Sequence, residues 1–161
     1  MPSFDVVSQV QLQEVDNALN QTRKEVGQRY DLKDTRTEID WDEKEIVITS
    51  ADDFKVKAVV DVLQSKLVRR NVPLKNLEYG KIEPAAGGRA RQKIMVRQGI
   101  DTDKAREIVK RVKMSGQKVQ SQIMEQQVRV SGKKRDDLQV TIQMLKGEDF
   151  GLALQFVNYR D

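Results

Sequence analysis

Apolar residues recur along this chain with two different spacings, which predict two kinds of secondary structure. Alternation at every second position predicts strands, whereas apolar residues three or four positions apart predict amphipathic helices. The first pattern is visible at residues 39–41, 118–124 and 127–130, and further short strands are predicted at residues 3–8, 45–49, 77–82, 93–97 and 154–159. The second covers residues 10–27, 50 to the exit at Pro73, 101–115, and 132 to the C-terminal cap at Gly147.

The order of these predicted elements is strand, helix, strand, strand, helix, strand, and this order occurs twice. It is typical of ferredoxin-like units, in which two helices cover one face of a sheet. The only linker-like segment, Pro84–Gly88, separates the two copies. We therefore expect an α+β protein made of two ferredoxin-like βαββαβ units, residues 1–88 and residues 89–161. The other face of each sheet is left for solvent, for the twin unit or for a ligand.

The charge of the chain is distributed unevenly between its two halves. The whole chain has a net charge of +4, from 29 Lys and Arg against 25 Asp and Glu. Residues 1–90 contain 14 basic and 16 acidic residues, a net −2, while residues 91–161 contain 15 and 9, a net +6. We therefore expect an acidic first unit and a basic second unit, and we expect the second to make most contacts with an anionic partner.

The composition excludes several classes of chemistry. The 161 residues include no cysteine and no histidine, which excludes disulfides, thiol nucleophiles, histidine proton shuttles and Cys/His metal sites. No pair of carboxylates stands out for general acid–base catalysis. We expect no catalytic site, no bound metal and no cofactor.

The sequence contains no recognisable membrane span or signal peptide. No apolar run approaches the ~20 residues that a membrane-spanning helix needs. The start of the chain, Met1–Asp5, lacks the basic and apolar regions of a signal peptide. We expect a cytoplasmic protein without a membrane partner.

The segment Ser131–Asp137 is the strongest candidate for ligand chemistry. A helix that begins here with a serine cap places Lys133, Lys134 and Arg135 in its first turn. Cations are unfavourable at the positive end of a helix dipole by roughly 0.3–1 kcal/mol each, and the corresponding helix start of the first half carries aspartates instead. Helix amides flanked by cations can form an anion site, in which Asp136 and Asp137 would offset the helix dipole or orient the arginine. The alternative is a solvated face whose lysines bind nothing.

The strand at residues 118–124 has a polar face that is a second candidate. Alternation places Lys118, Gln120 and Gln122 on one face, and Arg129 lies on the polar face of the adjoining strand. Amide side chains can read base edges, and cations can hold phosphates. The alternative is an ordinary exposed sheet surface.

The last predicted strand contributes Tyr159 and Arg160 as a third candidate. An aromatic ring and a guanidinium plane both suit stacking on a purine base. The alternative for Arg160 is a simple ion pair with Asp161.

Two common binding signatures are absent from the chain. Gly132 and Lys133 do not belong to a P-loop, because Gln127 stands where the first glycine of that motif would be. No RNP1 segment with its interleaved aromatics is present, and aromatic residues are only 5% of the chain. This composition argues against sequence-specific stacking of RNA on a sheet.

Four segments together resemble the YajQ family of bacterial proteins: MPSFDVVS (Met1–Ser8), RYDLK (Arg29–Lys33), RVSGKKRDDLQ (Arg129–Gln139) and LQFVNYRD (Leu154–Asp161). The resemblance runs the full length of the chain. It implies a tandem of ferredoxin-like, RNP-like domains that exchange their first strands, residues 4–7 and 94–96. It also implies nucleotide binding, with cyclic di-GMP a ligand of some members and nucleic acid a further kind of ligand.

Residues and resemblance together predict a protein that binds a nucleotide, such as the cyclic dinucleotide cyclic di-GMP, as a signalling effector and catalyses no reaction. The alternative is a non-specific RNA- or DNA-binding protein that uses the same basic surface, and a third interpretation is an interaction adaptor without a small ligand. A transcription regulator is an example of the protein partner that such an effector would need. The predicted ligand residues are Lys118, Gln120, Gln122, Arg129, Lys133, Lys134, Arg135, Asp136, Tyr159 and Arg160.

Overall fold

The computed structural model describes all residues from Met1 to Asp161. Its α-helices are α1 (Leu12–Gln28), α2 (Asp53–Arg69), α3 (Thr102–Met114) and α4 (Arg135–Lys146). Its strands are β1 (Ser3–Val7), β2 (Glu38–Trp41), β3 (Glu45–Ser50), β4 (Leu77–Tyr79), β5 (Glu83–Pro84), β6 (Ala90–Val96), β7 (Val119–Met124), β8 (Gln127–Gly132) and β9 (Gln155–Arg160). None of the four helices has the length and apolar character that crossing a membrane requires.

The chain forms two compact units, each with one antiparallel sheet and two helices. Val10–Arg97 make up one of them, called here the continuous unit, and Met1–Gln9 together with Gln98–Asp161 make up the discontinuous unit. Two ferredoxin-like units in tandem are the α+β fold class that the order of elements predicts, and the structure confirms it.

Strand β1 lies in the centre of the sheet of the discontinuous unit. The strand order is β7-β8-β1-β9, and β1 pairs antiparallel with β8 on one side and with β9 on the other. Phe4 and Val6 of β1 have no solvent exposure and pack in one hydrophobic core with Ile108 of α3 and Leu145 of α4. Burying one large apolar side chain stabilises a fold by roughly 1.5–3 kcal/mol. The short strand β1 is therefore central to this unit.

Strand β6 has the equivalent position in the continuous unit. The strand order is β2-β3-β6-β4, and β5 also pairs with β6. Ile94 of β6 has no solvent exposure and shares a core with Ile46 of β3 and Leu63 of α2. The apolar face predicted for α1 is buried as expected, and its members are Val15, Ala18, Leu19, Thr22 and Val26.

The two central strands are exchanged along the chain, as the resemblance implies. Strand β1 precedes α1, yet it pairs in the sheet of the discontinuous unit with β8 and β9. Strand β6 precedes α3, yet it pairs in the sheet of the continuous unit with β3 and β4. The predicted limits of residues 1–88 and 89–161 therefore differ from the limits of the compact units.

The segment Pro84–Gly88, predicted to separate two domains, lies inside the continuous unit. Pro84 pairs with Ala90 of β6, and the N–H of Ala85 donates to the carbonyl oxygen of Arg89 at 2.9 Å. The segment is thus the short connection between the paired strands β5 and β6.

The charge difference between the two sequence halves is not a difference between the two compact units. The continuous unit contains 17 basic and 15 acidic residues, and the discontinuous unit contains 12 and 10, so each has a net charge of +2. The reason is the strand exchange, because β6 and the residue after it carry Arg91, Lys93 and Arg97 into the continuous unit.

The start of α4 differs from the sequence-based expectation. The sequence predicts a helix from Gly132 with Ser131 as its cap, but both residues belong to β8. The N-cap residue is Lys134, and Arg135 is the first helical residue. Long-range strand pairing decides this boundary, since Ser131 lies opposite Ser3 of β1.

Two further elements have limits that differ from those predicted from the sequence. Helix α2 is predicted from Ser50, but β3 extends to that residue, and Asp52 caps the helix by accepting the N–H of Lys55 at 2.9 Å. The predicted strand at residues 77–82 is divided, because β4 ends at Tyr79 and β5 begins at Glu83.

Candidate functional site

The connection between β8 and α4 brings two lysines to the start of a helix. Strand β8 ends at Gly132, Lys133 and Lys134 follow, and α4 begins with Arg135. A Cβ atom at Gly132 would lie 3.1 Å from Cγ1 of Val119 and 3.2 Å from the carbonyl oxygen of Lys118. The close approach of β8 to Lys118 and Val119 therefore explains the glycine at this position.

The first turn of α4 has no side-chain cap. Asp52 caps α2 and Asp101 caps α3, each accepting a backbone N–H at 2.8–2.9 Å. The N-cap of α4 is Lys134, which has no acceptor group to offer and makes no capping hydrogen bond. The first N–H groups of a helix have no partner within the helix, so those of α4 can donate to an anion.

A cleft of about 480 Å³ lies beside the start of α4. It brings together four of the predicted ligand residues, which are Lys118, Gln120, Lys133 and Lys134. All four are exposed, and none of the three lysines forms an ion pair. Asp137 also lines the cleft and is its only acidic residue. The larger cleft therefore carries a positive charge that no protein group neutralises fully.

A smaller cleft of about 150 Å³ lies between α4 and the end of β9. It brings together Arg135, Tyr159 and Arg160, the remaining predicted ligand residues that line a cleft. Tyr159 is 61% exposed, and its ring centroid lies 6.3 Å from that of Phe4. Arg135 forms an ion pair with Asp161. The smaller cleft thus offers an aromatic ring and two guanidinium groups.

The first turn of α4 contributes to both clefts. Lys134 and Asp137 line the larger cleft, and Arg135 and Leu138 line the smaller one. Residues three positions apart share one side of a helix. The two clefts are therefore neighbours around the same helix start.

Arg129, a predicted ligand residue, is held by a buried carboxylate instead. Its Nε donates to Oδ1 of Asp5 at 2.9 Å, and Nδ2 of Asn158 donates to Oδ2 of the same residue at 2.9 Å. The side chain of Asp5 is 2% exposed and that of Arg129 is 26% exposed. These contacts join the neighbouring strands β8, β1 and β9, and Arg129 lines neither cleft.

The ion pair shifts the pKa of both partners. The hydrogen bond from Arg129 holds the pKa of Asp5 below its usual value, although burial acts in the opposite direction. The same hydrogen bond raises the pKa of Arg129. Both groups are therefore charged in the folded protein at neutral pH, and we assign this pair a structural role.

Gln122 and Asp136 also lie outside both clefts. Gln122 is the cross-strand partner of Arg129 and is exposed. Asp136 is exposed and has no ion pair with Arg135, whose partner is Asp161. Asp136 therefore does not orient the arginine through an ion pair.

Two carboxylates of these clefts, Asp137 and Asp161, are not among the predicted ligand residues. The sequence indicated Asp137 only as a partner of the helix dipole or of the arginine, and with α4 starting at Arg135 it shares one side of the first turn with Lys134. No sequence pattern indicates the contact between Asp161 and Arg135, because it joins the end of β9 to a different element.

The side chains of the two clefts are of kinds that bind anions and planar bases. No cluster of three or more Asp and Glu side chains could hold a metal ion. The clefts instead present ammonium groups, guanidinium groups, an aromatic ring and helix amides, which bind anions and planar bases. Fold and site together define a class of protein: a tandem of ferredoxin-like units with a cationic cleft at a helix start.

Comparison with known proteins places the chain more narrowly. It belongs to the YajQ family, because the family model described as "Nucleotide-binding protein YajQ-like" matches residues 2–160. A protein of Trichlorobacter lovleyi named "Nucleotide-binding protein" is 56% identical over 161 residues, which is 100% of each chain. A protein of Alkaliphilus oremlandii with the same name is 57% identical over 158 residues, covering 98% of this chain and 97% of the other. The family identified from the sequence is confirmed.

Proposed function

We propose that this protein binds a nucleotide at the start of α4 and catalyses no reaction. The observation that carries this proposal is the larger cleft, where Lys118, Lys133 and Lys134 stand without ion-pair partners beside an uncapped helix start. An anion in this position interacts favourably with all three ammonium groups and with the helix amides. The relatives named "Nucleotide-binding protein" support a nucleotide as that anion.

The smaller cleft supports a role in binding the base. Tyr159 presents an exposed ring, and Arg160 lies next to it in the chain. Stacking of a base on an aromatic side chain contributes roughly 1–3 kcal/mol. We propose that one phosphate lies in the larger cleft, that a base stacks on Tyr159 in the smaller one, and that Arg135, which lines the smaller cleft, binds a further phosphate.

Two neighbouring clefts favour a ligand with more than one phosphate or base. A cyclic dinucleotide has two phosphates and two bases, and cyclic di-GMP is the example that the family resemblance indicates. We propose this ligand class, and we propose that the bound protein acts as a signalling effector.

The equal charge of the two units makes a polyanion a weaker candidate. Each unit has a net charge of only +2, which is small for a surface that binds many phosphates. A protein that makes six to ten phosphate contacts loses about 10³–10⁵ in affinity between 50 and 200 mM salt. A nucleotide in a small cleft releases few counterions. Salt dependence therefore distinguishes nucleotide binding from non-specific RNA or DNA binding.

Isothermal titration calorimetry with cyclic di-GMP, GMP and a single-stranded oligonucleotide tests the proposal. The variant combines Lys133→Ala, Lys134→Ala and Arg135→Gln, and we expect at least tenfold weaker nucleotide binding, because a hydrogen bond to a charged group contributes about 1.5–3 kcal/mol. The matched control removes three exposed cations of α3 that line neither cleft: Arg106→Gln, Lys110→Ala and Lys113→Ala.

The titrations are carried out at 50 and 200 mM salt. We expect the parent and the control to bind a nucleotide with similar affinity and with less than about tenfold dependence on salt. Nucleotide binding by the triple variant as tight as that of the parent would remove the start of α4 as the site. Oligonucleotide binding that is tighter than nucleotide binding, and steeply dependent on salt, would favour the alternative function.

A further inference from the structure

The ion pair between Arg135 and Asp161 places a carboxylate where the proposed ligand would place a phosphate. Arg135 is the first residue of α4 and lines the smaller cleft together with Asp161. Its guanidinium contacts Oδ1 of Asp161 and has no other ion-pair partner. The flanking carboxylates Asp136 and Asp137 do not take part in this contact.

Carboxylates and phosphates compete for the same donors of an arginine. The planar guanidinium group presents a fork of N–H donors that matches either group in bidentate geometry. Asp161 contacts Nη2 of Arg135, so a phosphate that binds in bidentate geometry through Nη2 must displace Asp161.

Because the ion pair is exposed, its displacement costs little free energy. The side chains of Arg135 and Asp161 are 69% and 78% exposed, so solvent can take over the contacts of either partner. Exposed ion pairs of this kind shift an equilibrium by at most about fivefold. Asp161 is thus strong enough to reduce ligand affinity and too weak to block the site.

We propose that Asp161 is a built-in competitor that occupies Arg135 until a phosphate-bearing ligand displaces it. This inference rests on the proposed function, since it concerns the same helix start. In the free protein Asp161 occupies Arg135 and so lowers the affinity of the site for the ligand. Ligand binding then releases the Asp161 carboxylate to solvent. The affinity of the site is then set by two side chains that come from different elements, α4 and the end of β9.

A double-mutant cycle tests the competition. The four proteins are the parent, Asp161→Asn, Arg135→Gln and the double variant, and each is titrated with inorganic pyrophosphate and with cyclic di-GMP while amide chemical shifts are followed by NMR. We expect Asp161→Asn to strengthen binding about two- to fivefold at 50 mM salt, with a smaller gain at 200 mM. In the Arg135→Gln background, Asp161→Asn should have little effect on binding, because the guanidinium for which Asp161 competes has been removed.

Glu125→Gln is the matched control. Glu125 is exposed in the turn between β7 and β8, belongs to the same unit and has no ion pair, so its change alters the net charge equally without touching Arg135. An Asp161→Asn gain no larger than that of Glu125→Gln, or an equal gain in the Arg135→Gln background, would overturn the inference. A pyrophosphate gain without any binding of cyclic di-GMP would support the competition and contradict the proposed ligand.

Discussion

Replacing Asp5 by asparagine should destabilise the discontinuous unit through the contacts that join β8, β1 and β9. Asp5 accepts hydrogen bonds from Arg129 and from Asn158, both at 2.9 Å, and its side chain is 2% exposed. An asparagine has one acceptor oxygen, so its amide group must face one of these two donors. A hydrogen bond to a charged group contributes about 1.5–3 kcal/mol, and we expect Asp5→Asn to lower the free energy of unfolding by about 2–3 kcal/mol.

The loss should depend on pH in a direction that the pKa of Asp5 sets. This pKa is lowered in the folded protein, so the charged carboxylate stabilises the fold above the ordinary carboxyl range near pH 4, and that stability is lost as the pH falls through the lowered value. The difference between the parent and Asp5→Asn should therefore be full at pH 6–7 and should shrink below about pH 4.

Guanidinium denaturation followed by circular dichroism measures this difference. The only tryptophan, Trp41, lies in β2 of the continuous unit, so its fluorescence reports that unit separately. Glu125→Gln is the control, because it removes an exposed carboxylate from the same unit. A difference below about 0.5 kcal/mol at pH 7, the range of ordinary surface substitutions, would refute the assigned role of Asp5, and so would a difference that is the same at pH 7 and pH 3.

Three further predictions follow from the packing of the strands and from the helix start. Fragments of residues 1–90 and 91–161 should not fold alone, since each lacks the central strand of its sheet; two cooperative denaturation transitions of the separate fragments would contradict this. Gly132→Ala should cost about 1–3 kcal/mol of stability, because its Cβ would lie 3.1 Å from Cγ1 of Val119; an unchanged denaturation midpoint would contradict it. The triple change at residues 133–135 should leave the thermal midpoint unchanged or slightly higher, because cations leave the positive end of α4; a clear decrease would indicate a structural role.

Local patterns predicted the helices well where one apolar face decides the structure. The buried face of α1 follows the spacing of its apolar residues. The N-cap Asp101 of α3 and the C-cap Gly147 of α4 follow from residue type. The start of α4 was predicted wrongly, because Ser131 pairs with Ser3 of the distant strand β1 and Gly132 pairs with Val119 of β7. Pairing with β1 is a long-range contact, and no local propensity carries it.

The periodicity of apolar residues could not predict the strand exchange. Each sequence half begins with a strand, β1 or β6, that contains apolar residues, and neither pattern indicates in which of the two sheets the strand will pair. Only the family resemblance indicated the exchange. The same limitation misled the charge argument, since residues assigned to one half by sequence contribute to the other unit in the fold.

The candidate site was predicted in part. Seven of the ten predicted ligand residues line one of the two clefts: Lys118, Gln120, Lys133, Lys134, Arg135, Tyr159 and Arg160. Arg129 has the residue type of a ligand, but a polar strand face cannot reveal that Asp5 of a distant strand neutralises it. Residue type and alternation therefore indicate the surface, and the strand pairing decides which of its cations are free.

Mapping of the bound ligand by NMR tests the central claim most directly. Isotope-labelled parent protein is titrated with cyclic di-GMP, and the amide shifts of all residues are followed. We expect the largest changes at residues 133–137 and 159–160, with small changes throughout the continuous unit. Changes confined to the continuous unit, or no change at millimolar ligand, would contradict nucleotide binding at the start of α4.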